Sequence, residues 1–218
     1  MVYPSIESFR EAALACGAGY YADGSLEPGK LNAAYLVYQN ALGKTKLLNF
    51  DGQAEDFGVT VVGRLALKSD GRWVPSNEDF PSIDEIMREN LGVMADASGA
   101  TGAVLDAKNW SLLANDAWLL GGIHARTEFH FASPLSWENF WDGQRERMTV
   151  TAREAIGIIS FGYEIARPTK LEAVAVCRGP ELASGAGLQA YSSRVQACIT
   201  GPALRSIWEK VPEAARSY

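Results

Sequence analysis

The sequence predicts a single mixed α/β domain over residues 1–218, of the α+β kind, with a twisted mixed sheet. Three observations predict it. Helical stripes and strand-like alternations occur in both halves of the chain, no flexible linker divides them, and 218 residues suit one large domain. A doubly wound parallel sheet, on strands near residues 102, 127 and 171, is the competing arrangement.

Ser5 is placed to cap a first helix over 6–16, where Phe9, Ala12, Ala13 and Cys16 form an i, i+3, i+4, i+7 stripe. Gly17 and Gly19 stop it. After the loop YYADGSLEPGK, a second helix is expected over 30–42, with Leu31, Ala34, Tyr35, Tyr38 and Leu42 on one face and Gly43 at C′. Strand chemistry follows. TKLLNF at 45–50 is a short candidate, and GVTVVGRLALK at 58–68 is stronger, with Val59, Val61, Leu65 and Leu67 alternating onto one side. SDG at 69–71 turns that run into RWVP as an antiparallel hairpin, because Asp-Gly tolerates positive φ, and Pro75 ends the pairing.

Ser82 and Glu85 make a capping box for a helix through Ile83, Ile86 and Met87. TGAVLDA at 101–107 reads as a buried strand. It feeds a helix over 108–120, with Trp110, Leu113, Ala114, Ala117 and Trp118 on one stripe, broken by Gly121–Gly122. Thr151 and Glu154 make a second capping box, opening a helix that runs to Phe161 with Gly162 as its stop. KLEAVAVCR at 170–178 is apolar almost throughout, as a strand covered on both sides requires. LQAYSSRVQACI at 188–199 is read as helix. In the tail, Pro202 sits near a helix N1, and Leu204, Ile207, Trp208 and Val211 supply its apolar side.

Bulk chemistry narrows the function classes. The net charge is −6, which argues against the basic stripe that broad nucleic-acid binding needs, and no nucleic-acid partner is expected. The basic cluster QRERM at 144–148 reads as a solvated surface. Three cysteines, Cys16, Cys177 and Cys198, form no CxxC; reduced thiols in a cytoplasmic protein are expected. No apolar run approaches a membrane span and no signal-peptide pattern opens the chain, so no membrane partner is expected.

HARTEFHFAS, residues 124–133, holds both histidines. As a strand over 126–132, it turns Arg126, Glu128 and His130 one way and Thr127, Phe129 and Phe131 the other. That polar row suits acid–base chemistry: His130 titrates near neutrality, Glu128 orients or charges it, and Arg126 holds a substrate anion. His124 joins from the preceding loop. A wet outer strand surface explains the same pattern without chemistry. The H-x₅-H spacing is not a zinc-helix arrangement, so no metal is expected, and no cofactor either.

Trp137, Phe140 and Trp141 of SPLSWENFWDG form an aromatic cluster suited to a protein partner or planar ligand, or to core packing. The glycine-rich CRGPELASGAG lacks the spacing of a dinucleotide fingerprint and reads as a surface loop. Cys177 at a strand end is a possible nucleophile, although a buried strand cysteine usually serves as a small hydrophobe; Cys16 and Cys198 are expected in the core. No stretch carries a family motif. Two functions fit: a non-catalytic module of the adaptor, inhibitor or immunity type that binds a protein or small polar ligand, and an enzyme using Glu128 and His130 on a small polar or nucleotide-like substrate.

Overall fold

Ser5 opens the first helix by accepting the Ser8 amide at 3.3 Å, while the Ser8 hydroxyl accepts the Ser5 amide at 3.3 Å. This reciprocal cap starts α1 (Ile6–Ala15). The computed structural model describes residues 3–43, 59–62, 65–67, 73–75, 111–126, 128–131, 135–166, 173–177 and 185–216. The sequence-predicted strands at 45–50 and 101–107 and the helix beginning at Ser82 lie outside them.

Helix α2 (Pro28–Gly43) buries Leu31, Ala34, Tyr35 and Tyr38 as expected, and also Ala33, Val37 and Ala41. Its partner is α3 (Leu112–Ala125). The expected break at Gly121–Gly122 does not occur, because these glycines serve packing instead. A Cβ on Gly121 would lie 2.5 Å from Ala41 Cβ and 2.7 Å from the Tyr38 carbonyl oxygen, so only glycine lets α2 and α3 approach this closely. The helix therefore continues to Ala125 and turns at Arg126 in the left-handed conformation, φ 58°.

The strands are β1 (Val59–Val62), β2 (Leu65–Leu67), β3 (Trp73–Pro75), β4 (Glu128–Phe131), β5 (Trp141–Asp142), β6 (Arg147–Met148), β7 (Tyr163–Ala166) and β8 (Ala173–Cys177). The run 58–68 is divided between two sheets: β2 pairs antiparallel with β3 as the hairpin reading required, but β1 pairs parallel with β4. The larger sheet has the order β1-β4-β8-β7. Its β4–β8 and β8–β7 pairs are antiparallel, which overturns a parallel sheet on the strands near 127 and 171. The chain is mixed α/β. Strand β7 was not expected; at four residues it is too short for alternation to announce it. Only its partner β8 gives it an identity.

Four further helices complete the described chain: α4 (Trp137–Phe140), α5 (Val150–Ser160), α6 (Leu188–Ala197) and α7 (Gly201–Trp208), before a last turn, α8 (Glu213–Arg216). Between α4 and α5 the chain forms the small β5–β6 hairpin, with Gln144 to Arg147 exposed as expected. The second capping box is corrected: Thr149, not Thr151, caps α5, accepting the Ala152 amide at 3.2 Å. Glu154 is thereby moved a turn inside the helix. Among the described residues no helix is long and apolar enough to cross a membrane.

Candidate functional site

The N-terminus of α3 exposes backbone N–H groups that need acceptors. The loop after α1 supplies two of them: the Asp23 carboxylate accepts the Leu112 amide at 2.8 Å and the Ser25 hydroxyl accepts Leu113 at 3.2 Å. Ser111 accepts Ala114 at 3.1 Å. Asp23 is held below the usual carboxylate range: burial works against its charge, but the Leu112 and Ser25 hydrogen bonds outweigh it. Tying this loop over α3 delivers Tyr20 and Tyr21 to Asp116, one turn into the helix.

Asp116 is fully buried, and Arg153 from α5 grips it with two bonds, Nε to Oδ1 at 2.8 Å and Nη2 to Oδ2 at 2.6 Å. Tyr21 donates to Oδ2 at 2.8 Å and Tyr20 at 3.3 Å. The guanidinium also lies over the Tyr20 ring, 4.3 Å from its centroid, and 5.8 Å from that of the fully buried Tyr191. The Tyr191 hydroxyl donates to the Arg153 carbonyl oxygen at 2.7 Å. Burial pushes the Asp116 carboxyl up, with the guanidinium and both phenols pulling back; the short forked contact is that of an ion pair. Burial also disfavours the charge on Arg153, but Asp116 outweighs it and holds the proton more firmly than usual.

Glu154 is 4% exposed. Burial pushes it up to about 8, and the Asp116 charge adds to that push. Asn115 works in the opposite direction, although its Nδ2 meets no acceptor at full hydrogen-bonding geometry. At neutral pH this carboxyl keeps its proton.

Beside the cluster opens a cavity of about 600 Å³, lined by Cys16, Gly19, Tyr20, Met148, Arg153, Val195, Gln196 and Ile199. Its size and mostly apolar wall suit a small ligand. Arg153 brings the one cation among the described lining residues. Its Nε–H and one N–H of Nη2 are committed to Asp116. Cys16 is half-buried on this wall, not in the core; its thiol donates to the Ala12 carbonyl oxygen, and burial pushes its pKa up. Cys198 is buried, as expected.

The residues singled out from the sequence are elsewhere. Glu128 and His130 occupy alternate positions of β4, opposite Val59 and Val61 of β1; their side chains lie outside the described part. Phe129 is fully buried and meets the Tyr163 ring edge-on, centroids 5.2 Å apart. Arg126 is exposed at the helix end and precedes the strand, because α3 runs on past Gly122. His124 sits in the last turn of α3, not in a loop. Its Nε2 lies 2.9 Å from the Ala186 carbonyl oxygen, which can only accept, so Nε2 carries the proton and Nδ1 accepts from the Tyr38 hydroxyl at 2.8 Å. Burial lowers its pKa, with the Ala186 bond opposing. This neutral imidazole ties α2 and α3 to residues 185–187.

The aromatic cluster divides. Phe140 is fully buried, whereas Trp137 and Trp141 are half-buried and nearly parallel, with centroids 6.5 Å apart. With Glu138, Asp142, Gly143 and Gln144 they line an open groove of about 530 Å³. Cys177 closes β8, opposite Tyr163 of β7. Among the described residues, no three His, Cys, Asp or Glu gather as a metal would need.

Sequence reasoning missed Asp116 and Arg153. The signal was present but weak: Asp116 falls, beside Asn115, within a helical run that is otherwise apolar, and a charged residue enters such a run only when paired. No protein family, curated protein or solved structure matches this chain.

Proposed function

We propose that this chain is a non-catalytic binding module, a single α+β domain that takes a small ligand in the cavity beside Arg153. One observation carries the reading: a buried guanidinium, fixed by two bonds to Asp116, lines a cavity of about 600 Å³. Preorganisation of this kind lowers the entropy lost on binding. The described groups around the cavity are poorly placed for chemistry. Burial pushes the Cys16 thiol and the Tyr20 phenol up, away from their nucleophilic forms, and Asp116 is spent on Arg153. They hold; they do not react.

Met148 lines this cavity and is one of four methionines in the chain. Methyl-labelled methionine gives few resonances, and Met148→Leu assigns the one that matters. A fragment library should contain compounds that shift the Met148 methyl resonance saturably, and Arg153→Met should weaken them. A library that leaves Met148 unmoved, or hits indifferent to Arg153→Met, ends this reading.

A further inference from the structure

The charge balance at Arg153 selects the kind of ligand, an inference that rests on the binding reading above. We infer that the cavity takes a small neutral carbonyl compound, an amide, ketone or ester with an apolar body, in preference to a carboxylate or phosphate.

An arginine lining a cavity ordinarily suggests an anion. Here the positive charge is already matched. Asp116 lies against the guanidinium at 2.6 and 2.8 Å and is fully buried, so its negative charge is poorly screened by solvent. An anion brought to the guanidinium would feel attraction to Arg153 and repulsion from Asp116 together. It would also surrender hydration against a wall of Met148, Val195 and Ile199. The remaining groups near the cluster add no compensating cation: Glu154 holds its proton at neutral pH, and Tyr20, Tyr21 and Tyr191 are neutral phenols pushed above their ordinary values by burial.

A neutral acceptor avoids both penalties. A carbonyl oxygen needs only one guanidinium N–H, which remains a good directional donor after two others have bound Asp116. Gln196 lines the same cavity, and its side-chain amide can pair with the N–H of a bound amide. The apolar body then meets Met148, Val195 and Ile199, the last of which is 61% exposed.

Benzamide and benzoate have nearly the same shape and differ in charge, so they isolate the question. Both are titrated against the methyl-labelled protein at neutral pH, reading Met148. Benzamide should bind at least about tenfold more tightly than benzoate. In Asp116→Asn the guanidinium loses its counter-charge, and the preference should shrink or reverse; the wild-type titration decides the matter even if that variant folds poorly. Equal or tighter binding of benzoate to the wild type overturns the neutral-ligand inference while leaving the cavity as a binding site. If neither compound moves Met148 while other fragments do, the carbonyl specificity is wrong. If nothing moves it, the binding reading falls as well.

Discussion

Arg153 and Arg205 both lie over aromatic rings, in very different surroundings. Arg153 sits 4.3 Å from the Tyr20 centroid, with its side chain 8% exposed and its charge locked to the buried Asp116. Arg205 sits 4.3 Å from the Trp208 centroid and 4.8 Å from that of Trp137, but its side chain is 45% exposed. Its carboxylate neighbour, Glu209, is 3.6 Å away and more exposed still. Similar chemical groups thus meet different dielectrics. Water screens the Arg205 contacts and would solvate either partner if the other were removed, whereas the fully buried Asp116 would keep the Tyr20 and Tyr21 hydroxyls but lose its counter-charge without Arg153. The buried pair sets a geometry, and the exposed stack covers indole surface.

The largest effect expected from this contrast is that of Arg153→Met. Stranding the Asp116 carboxylate should destabilise the fold by roughly 3–5 kcal/mol in urea denaturation, and Asp116→Leu with Arg153→Met should recover much of that. A single-variant loss below about 1 kcal/mol would remove the distinction between the two arginines.

Glu154 gives the contrast a pH axis. Its native pKa is raised from 4.5 to about 8, so the folded state binds the proton across a window in which the unfolded chain has released it. This contribution to stability is complete below pH 4.5 and is lost as pH rises through 8. The full change is on the order of 5 kcal/mol. Glu154→Gln should flatten the stability profile between those limits. Superimposable profiles of wild type and variant would show that the carboxyl is not buried as described.

Gly121→Ala separates packing from charge on the helix that carries Asp116. The new methyl would meet Ala41 and the Tyr38 carbonyl oxygen at 2.5 and 2.7 Å. A loss of roughly 1–3 kcal/mol is expected despite alanine's better helix propensity. Because the contact is uncharged, that loss should not vary with salt; a salt-dependent loss would implicate the ion pair instead. The smallest effect belongs to Arg205→Ala, about 0.5–1 kcal/mol by thermal melting. If it matched Arg153→Met, exposure would not be what separates the two sites.

Local chemistry was readable wherever it acts over a few residues. The Ser5 cap, the stripe of α1, the glycine stop at Gly162, the helical identity of 188–197 and the antiparallel pairing of β2 with β3 all depend on near neighbours, and a linear pattern records those. The errors have a common origin. Gly121 reads as a breaker until Ala41 is beside it, Glu154 reads as a cap until Thr149 takes that place, and β7 has no identity without β8. The cavity belongs to the same class. Tyr20, Asp116, Arg153 and Val195 come from four separated stretches, and burial alone decides that a carboxylate and a guanidinium in the middle of helices must find one another. Periodicity reports which side of an element is apolar; only the folded arrangement reports which charge is shut away from water, and with what.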